Sequence, residues 1–401
     1  MEVRRIVFNG GDRLFASGAS VIRYRDSPEV WPAFFSAQLQ EWRPDAVLLF
    51  GDERPIHRVA REVARARQVP VWCFEEGYIR PNYVTCELYG NNANSPLPRT
   101  PDALQRTAPP SPAAPPLRSQ FSAMALSATA YYLAAVLKRR HYPFYLHHRD
   151  RSLTSEARYW TRSFARKVLA TPIDRKAIRR LTGTSRPEFF LVALQVHDDL
   201  QLLRHGRGWS VKSFIIQTLA SFAAHAHPTH QLVFKVHPLD RGHTHYAKLV
   251  HRHAERYGVT DRVQVLQSGV LGPLVRASKG LVTINSTSGV AAITAGVPVL
   301  VMGNTFYRVE GLACIGSTIE DINRFWRTPT PPDPEIAQAF LRHLVGSSLL
   351  PGSFYDRATW PSLADAVFQR ISPLLRVLSP VGRSPTLDRS ASPVRRGGVP
   401  V

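Results

Sequence analysis

Residues 69–77 have the sequence Val69-Pro70-Val71-Trp72-Cys73-Phe74-Glu75-Glu76-Gly77. The apolar run predicts a buried strand, which Gly77 ends. In open α/β sheets ligands bind beyond the carboxyl ends of the strands, and Glu75 and Glu76 lie at such an end. Because two adjacent carboxylates repel each other, a purely structural loop rarely carries them there. The stretch therefore predicts an α/β fold with functional side chains at this strand end.

Strand and helix patterns alternate on both sides of this stretch, as in doubly wound parallel sheets. The first 95 residues have strands at 6–8, 46–50 and 71–74, and helices at 30–42 and 55–68. A second succession has strands at 189–194, 232–236, 263–266, 280–284 and 297–302, and helices at 212–226, 246–257, 272–278 and 289–295. Two Rossmann-like domains that face a cleft form the GT-B architecture. Many nucleotide-sugar glycosyltransferases share it, but the sites must decide the function.

Changes in composition predict a first domain at 1–180, a second at 187–350, a helical segment at 351–378 and a tail at 379–401. The first domain includes a Pro/Ala-rich loop at 96–118. The tail consists mainly of Ser, Pro, Arg and Gly with few large apolar residues, which predicts disorder.

The chain has 51 Lys and Arg residues against 30 Asp and Glu residues, so its net charge is +21. Such a surface attracts anions, whether nucleic acid, acidic lipid or the phosphates of nucleotide sugars. No recognised nucleic-acid-binding motif occurs, which argues against nucleic acid as a partner. The sequence also lacks a P-loop, a dinucleotide fingerprint and metal-ligand spacing, so we expect no cofactor and no metal. Residues 1–8 form a strand pattern and no signal peptide, which favours a cytoplasmic protein.

Residues 121–137 form the longest weakly polar run and lead directly into the basic residues 138–141. The run contains Ser, Thr and much Ala, so it falls short of a membrane-spanning helix of ~20 strongly apolar residues. Two alternatives stay open. The segment is a helix packed against other helices, or a helix that lies on an anionic membrane surface.

Polar side chains follow the first strand of the second domain. Gln195, Asp198 and Asp199 lie within five residues of each other. Two carboxylates at a strand end bind a cation, shape an active site or supply a nucleophile. They also serve as plain N-caps of a following helix, and the local sequence leaves these alternatives open.

Two more turns of the second domain suit an anionic ligand. Lys235 lies at the end of the strand at 232–236 and His237 follows it, and Pro238 would stiffen the turn that directs the histidine at a phosphate. The run Asn285-Ser286-Thr287-Ser288-Gly289 separates a strand from a helix. Its hydroxyls and N–H groups either cap that helix or bind an anion there.

The strand at 46–50 of the first domain ends at Gly51-Asp52. We expect Asp52 to cap the next helix. His57 and Arg58 lie within that helix and are candidates for contact with an anionic acceptor.

Together these motifs resemble the capsule polysaccharide biosynthesis and export family, typified by KpsS and LipB. The matching residues are Gly51-Asp52, Pro55, His57-Arg58, Glu75-Glu76-Gly77-Tyr78, Arg80-Pro81, Tyr83, Thr85, Tyr145, His147-His148-Arg149, Gln195, Asp199, Gln201, Lys235, His237-Pro238 and Asn285-Ser286-Thr287-Ser288-Gly289. Each motif alone is weak, whereas the set in this order is specific.

The resemblance implies a retaining β-Kdo glycosyltransferase that uses CMP-Kdo and starts the capsule linker on a phosphatidylglycerol-type lipid. It places CMP-sugar binding in the second domain and acceptor binding in the first. The implied donor-binding residues are Gln195, Lys235, His237, Pro238, Asn285, Ser286, Thr287 and Ser288, and the acceptor-binding residues are His57, Arg58, Tyr78 and Arg80. The implied partners are the anionic lipid, the inner face of the cytoplasmic membrane, where the protein would be peripheral, and other capsule assembly proteins.

The implied mechanism follows from stereochemistry. CMP-Kdo is a β-donor and the family's product is β-linked, so net retention suggests two inversions through a covalent sugar–carboxylate intermediate. We expect Asp199 to be the nucleophile and Asp198 to support it. For the base we expect Glu76, with Glu75 second. Two other hypotheses stay open: a non-catalytic capsule assembly or export factor, and a transferase with another donor, such as a different CMP-linked acidic sugar.

Overall fold

The computed structural model describes residues 2–16, 20–110, 117, 121–145 and 153–378. Part of the Pro/Ala-rich loop, the motif His147-His148-Arg149 and the tail at 379–401 lie outside these residues. The strands are β1 (Arg4–Val7), β2 (Ser20–Arg23), β3 (Val47–Phe50), β4 (Val71–Glu76), β5 (Tyr83–Leu88), β6 (Phe189–Ala193), β7 (Gln231–Lys235), β8 (Val263–Leu266), β9 (Gly280–Thr283), β10 (Val299–Val301), β11 (Cys314–Ile315) and β12 (Leu349–Pro351).

Helices lie between most of these strands, as is typical of an α/β protein. They are α1 (Gly10–Leu14), α2 (Trp31–Trp42), α3 (Pro55–Ala66), α4 (Pro101–Leu104), α5 (Phe121–Leu137), α6 (Leu153–Thr182), α7 (Leu200–His205), α8 (Val211–His225), α9 (Tyr246–Arg256), α10 (Leu271–Ala277), α11 (Ser288–Thr294), α12 (Ile319–Arg327), α13 (Pro334–His343) and α14 (Trp360–Leu378). The α/β, GT-B-like fold predicted from the alternation of strands and helices is confirmed.

The second sheet has six parallel strands in the order β11-β10-β9-β6-β7-β8. Parallel sheets are covered on both faces, which explains their nearly continuous apolar strands. Phe214, Phe222 and Trp326 pack on one face, whereas Leu274 and Phe340 belong to the core on the other. Because β9, β6 and β7 are neighbours, the three polar turns that follow them meet at one edge of the sheet.

The first sheet is mixed, with the order β12-β5-β4-β3. β3 and β4 are parallel as expected, but β5 is antiparallel to β4, so the expectation of a wholly parallel sheet is wrong. The connection at 77–82 is too short for the crossover of a dozen or more residues that parallel strands need. β4 ends at Glu76, directly before Gly77 as predicted. Only glycine fits at position 77, because a Cβ there would lie 2.1 Å from the carbonyl oxygen of Tyr83.

The chain returns to the first sheet after the second is complete. β12 pairs antiparallel with β5, and the pairs include Leu350 with Val84. Leu363 and Ile371 of α14 pack with this strand and with Trp72 of β4. The C-terminal segment therefore ties the second half of the protein to the first.

Helix α5 covers the weakly polar run at 121–137 and packs against α1. The hydroxyl of its Tyr131 accepts a hydrogen bond from Asn9 Nδ2 (2.7 Å) and donates to Asp12 Oδ1 (2.8 Å). Helix packing, the first of the two alternatives, is therefore seen, while Leu126 and Leu137 remain exposed. In the part of the chain that the structure describes, no helix is long and apolar enough to cross a membrane.

Candidate functional site

The turns after β6 and β9 are fastened together by two amide side chains. Gln195 Nε2 donates to Asn285 Oδ1 (2.8 Å), and the backbone N–H of Asn285 donates to Gln195 Oε1 (3.1 Å). Asn285 Nδ2 also donates to the carbonyl of Gln201 (2.9 Å). Gln195 and Asn285, both expected to bind the donor, are buried and hold the site's two turns in register.

The hydroxyl turn is preorganised by its own hydrogen bonds. The Oγ of Ser286 accepts from both the N–H (3.2 Å) and the Oγ (2.9 Å) of Ser288, and the Tyr307 hydroxyl donates to the Ser286 carbonyl. Thr287 occupies the cap position of α11 without a side-chain cap bond. Since capping does not use the Thr287 hydroxyl, that hydroxyl suits contact with a ligand.

Asp199 both caps a helix and faces the opposite sheet. Its Oδ1 accepts from the N–H of Gln201 (2.9 Å) at the start of α7, so the capping alternative is correct as far as it goes. The same carboxylate acts electrostatically on Glu75 of β4. Burial is the main cause of the raised pKa of Glu75, and the negative charge of Asp199 raises it further. Asp199 and Glu75, the second choice for the base, are therefore close enough to interact electrostatically.

Glu75 and Glu76 have opposite electrostatic environments. Burial and the charge of Asp199 raise the pKa of Glu75 to about 8, and Asn92 Nδ2 donates to its Oε2 (3.0 Å). Glu76 instead forms an ion pair with Arg80 (2.7 Å) and accepts from the Tyr355 hydroxyl (3.3 Å). A group with a pKa near 8 can exchange a proton near neutral pH, so Glu75, the second choice for the base, has a property that suits that role.

The turn after β7 presents His237 and buries Lys235. The backbone N–H of Leu239 donates to His237 Nδ1 (3.2 Å), so the neutral ring carries its proton on Nε2, where it can donate to a phosphate. Pro238 is exposed beside it. Lys235 donates to the Val236 carbonyl (3.0 Å), and burial together with the nearby Arg241 lowers its pKa to about 8. Lys235 therefore lies beneath the turn.

Asp240, which was not among the residues predicted for the site, organises this edge of the sheet. It is fully buried and accepts from the ring Nδ1 (2.6 Å) and the backbone N–H (3.2 Å) of His197 and from the Tyr246 hydroxyl (2.6 Å). Burial alone would raise the pKa of Asp240, but these hydrogen bonds outweigh it and lower the pKa. Asp240 thus joins the turn after β6 to the His237 turn.

We expect Asp240→Ala to lower the free energy of unfolding by about 3 kcal/mol, because it leaves the buried Tyr246 hydroxyl without its acceptor and removes two hydrogen bonds from His197. Since the folded-state pKa is depressed, the contribution is present above the unfolded value and is lost as the pH falls below about 4. Urea unfolding at neutral and acidic pH measures both effects. The exposed Asp261 supplies the matched control, and Asp261→Ala should change stability by less than about 0.5 kcal/mol. Equal effects of the two changes would contradict the role of Asp240.

Asp52 is a bridge between the two halves, and the expectation that it caps α3 is wrong. Helix α3 has no side-chain cap. Asp52 is fully buried and accepts from Arg61 (2.9 Å), from Asn94 Nδ2 (2.8 Å) and, across the junction, from Gln201 Nε2 (3.0 Å). Both the pairing with Arg61 and the contact with α7 come from tertiary packing, which no local pattern indicates.

Two further residues strengthen the same junction. His205 Nε2 lies 3.0 Å from Glu53 Oε1, and this hydrogen bond lowers the pKa of Glu53 to about 2. Neither residue was among the candidates from the sequence. The only signal in the sequence was position. Glu53 comes directly after the Gly51-Asp52 motif, and His205 ends the short helix α7 that follows Asp199.

The four expected acceptor-binding residues do not share one environment. Tyr78 is buried, and its hydroxyl donates to Glu87 (2.7 Å) and accepts from the Asn92 N–H (2.6 Å), so its position does not support direct contact with an acceptor. His57 is not readily protonated, because burial and the charge of Arg54 lower its pKa to about 4. Their structural surroundings are those of supporting residues.

Arg58 and Arg80 are the two accessible cations of that set. Arg58 lies 4.0 Å from Glu62 on α3, and Arg80 pairs with Glu76 with more than half of its side chain exposed. Within the described residues no group of three or more His, Cys, Asp or Glu side chains could hold a metal ion.

Comparison with known proteins agrees with the motifs. A sequence model described as capsule polysaccharide biosynthesis protein matches residues 45–355, most of the chain. The chain belongs to the capsule polysaccharide biosynthesis family. The resemblance inferred from the motifs is thereby confirmed.

Two relatives in this family match over most of their length. The capsule polysaccharide export protein KpsS of Escherichia coli is 34% identical over 351 residues, which are 87% of this chain and 89% of KpsS. The capsule polysaccharide modification protein LipB of Neisseria meningitidis is 33% identical over 368 residues, 90% of this chain and 87% of LipB. Among solved structures, the KpsC beta Kdo 2,4 transferase of Thermosulfurimonas dismutans matches with a TM-score of 0.37 and 15% identity, covering 86% of this chain and 98% of that chain.

Proposed function

We propose that this protein is a retaining glycosyltransferase that transfers Kdo from CMP-Kdo to a phosphatidylglycerol-type lipid and so starts a capsule linker. The observation that carries the proposal is the pair Asp199 and Glu75, two carboxylates from opposite sheets, of which one has a pKa of about 8. Family membership supports the role in capsule synthesis. The net charge of +21 suits an anionic donor, an anionic lipid and the inner face of the cytoplasmic membrane.

The donor side of the proposed reaction is the edge where β9, β6 and β7 end. The hydroxyls of Ser286 and Thr287 and the Nε2–H of His237 are donors suited to the phosphate oxygens of CMP. Hydrogen-bond donors that offset the phosphate charge make CMP a better leaving group. Asp199 follows the central strand of the three, between the two donor turns.

The first step forms a covalent intermediate. The Asp199 carboxylate attacks the anomeric carbon of Kdo while the bond to the CMP phosphate breaks, and CMP leaves with the bonding electrons. The product of this step is a Kdo ester of Asp199 with inverted configuration. In the second step the acceptor hydroxyl attacks the same carbon, Glu75 takes its proton, and Asp199 leaves as a carboxylate. Two inversions give net retention.

The electrostatics of the pair fit this sequence of steps. The charge of Asp199 helps to keep Glu75 protonated in the free protein. Esterification removes that charge, so the pKa of Glu75 falls when the intermediate forms. A larger fraction of Glu75 is then ionised at neutral pH, as a general base requires, at the stage when the acceptor hydroxyl is to be deprotonated.

We expect Asp199→Asn to lower the pKa of Glu75 from about 8 toward its ordinary value, because the change removes a negative charge and keeps the side chain's shape. Carbon-13 NMR titration of glutamate carboxyls, assigned with Glu75→Gln, measures the shift without any substrate. Asp198→Asn is the control and should move the pKa much less. A pKa of Glu75 that is equal in wild type and Asp199→Asn would contradict the proposed coupling.

The function itself is tested with purified protein, CMP-Kdo and phosphatidylglycerol in detergent, by CMP release and by the mass of the lipid product. We expect a Kdo-lipid whose formation is unaffected by a metal chelator. Parallel reactions with CMP-sialic acid and UDP-N-acetylglucosamine test the donor. Turnover of another CMP-linked sugar would replace Kdo in the proposal. No turnover of any donor would favour a non-catalytic assembly or export factor.

A further inference from the structure

Helix α6 presents an apolar outer face that no described part of the chain covers. Its inner face buries Tyr159, Ser163, Asp174, Ala177 and Leu181 against the second domain. On the other side, half or more of each large apolar side chain is exposed. These residues, the α6 patch, are Trp160, Phe164, Val168, Leu169 and Ile173. Single exposed apolar residues are ordinary, but five large ones on four turns of one helix mark an interaction surface.

The charge around the α6 patch is of one sign. The exposed positions of α6 from 158 to 180 include basic residues and no acidic one, since its single aspartate, Asp174, is buried. The basic residues are Arg158, Arg162, Lys167, Arg175, Lys176, Arg179 and Arg180. A helix with aromatic and aliphatic side chains on its exposed face and Arg and Lys beside them fits the interface of an anionic bilayer.

The same charge argues against the other occupants. A second copy of the chain would bring an identical basic surface against this one, and like charges would repel. The C-terminal residues 379–401, which the structure does not describe, contain four Arg and one Asp, so they too have the wrong sign. An anionic lipid surface complements both the apolar and the basic side chains.

The inner face of α6 fixes the patch relative to the candidate site. The Tyr159 hydroxyl donates to the Leu239 carbonyl, two residues beyond His237, and the Tyr159 ring stacks on His243 with centroids 4.0 Å apart. Arg166 donates to the carbonyls of Arg241 and Thr244. The patch therefore lies on the outer side of a helix whose inner side supports the His237 turn.

We propose that the α6 patch is the membrane-docking surface of this protein and takes an anionic phospholipid bilayer, with the apolar side chains in the interface and the Arg and Lys side chains on the headgroups. This deepens the proposed function, since docking through α6 would hold the His237 turn near the surface that contains a lipid acceptor. The docking itself requires no reaction.

The test is co-sedimentation of the full chain with phosphatidylcholine vesicles that contain phosphatidylserine, an anionic lipid other than the proposed acceptor. We expect wild type to bind these vesicles and not vesicles of phosphatidylcholine alone. The triple variant Phe164→Gln, Leu169→Gln, Ile173→Gln should bind these vesicles at least roughly tenfold more weakly than wild type. It removes three exposed apolar side chains and no charge. Thermal unfolding by circular dichroism establishes that the variant is folded.

A matched triple variant separates the patch from general surface hydrophobicity. Leu14→Gln, Val30→Gln, Phe368→Gln changes three apolar side chains that are also about half exposed but lie on other elements, and should bind as wild type does. Equal binding by the α6 variant and wild type, or no binding by wild type, would overturn the proposal. A dimer that light scattering finds for wild type and for the control variant, but not for the α6 variant, would also overturn it. CMP release in detergent tests the proposed reaction separately and does not depend on docking.

Discussion

Asp199→Ala is expected to lower the rate of Kdo transfer by roughly 10³-fold or more, because no intermediate can form without the attacking carboxylate. The measurement is the initial rate of CMP release and of lipid glycosylation at saturating CMP-Kdo. The substitution also removes the N-cap of α7, which costs about 1 kcal/mol of stability. That cost is too small to account for the loss of activity in a folded protein.

Two controls isolate the chemical role of Asp199. Asp199→Asn keeps an effective N-cap but has no nucleophilic carboxylate, so it should be as inactive as Asp199→Ala and more stable. Asp198→Ala removes the neighbouring carboxylate and should reduce the rate by about tenfold, as a supporting residue would. If Asp199→Asn kept a rate within tenfold of wild type, Asp199 would not be the nucleophile.

Glu75→Gln is expected to slow transfer by roughly 10²–10³-fold while leaving the first step largely intact, because only the second step needs a base. One equivalent of CMP should therefore be released quickly, and the Kdo ester should accumulate. Rapid-mixing measurements of CMP release with and without the lipid acceptor distinguish the two steps. Glutamine retains an acceptor for the Asn92 amide, so the change alters the proton and little else.

Glu76→Gln is the matched control, one residue away on the same strand. The Glu76 carboxylate is already paired with Arg80, so we expect a reduction of less than about tenfold. A larger loss for Glu76→Gln than for Glu75→Gln would return the base to Glu76 and would contradict the assignment made from the pKa of Glu75.

The choice between the two glutamates shows where sequence information ends. Neighbouring residues of a strand point to opposite faces, so one of the two had to face the cleft, but the local sequence does not say which. The partners that decide it are distant: Tyr355 for Glu76, and Asp199 of the other sheet for Glu75. The sequence predicted the pair and the strand end, and tertiary structure supplied the raised pKa of Glu75 and the ion pair of Glu76 with Arg80.

The second sheet was more predictable than the first for a physical reason. Parallel strands buried on both faces have continuous apolar runs, and the fully buried β6, observed at Phe189–Ala193, was predicted at 189–194. In the first sheet β5 reads Tyr83-Val84-Thr85-Cys86-Glu87-Leu88, and its polar side chains find their hydrogen-bond partners outside the strand, as Glu87 does in Tyr78 and Ser348. β12 contributes three residues from the far end of the chain, too few for a pattern.

The same limit applies to the residues that join the site together. Asp240 lies two residues beyond the predicted Lys235–Pro238 motif, but its contact with His197 spans 43 residues and its burial is a tertiary property. Asp52 was taken for a helix cap because Asp often follows a strand in that role, and its bond to Gln201 spans 149 residues. Local patterns identified the turns, and long-range packing determined which side chains line them.

The central claim, a covalent Kdo ester on Asp199, is tested most directly by intact-protein mass spectrometry after CMP-Kdo is mixed with the protein in the absence of acceptor. The account predicts one added Kdo on wild type and on Glu75→Gln, none on Asp199→Asn, and peptide fragmentation that places the sugar on Asp199. Addition of phosphatidylglycerol should discharge the wild-type adduct and leave that of Glu75→Gln. Lipid glycosylation by wild type without any adduct, or an adduct of equal yield on Asp199→Asn, would contradict it.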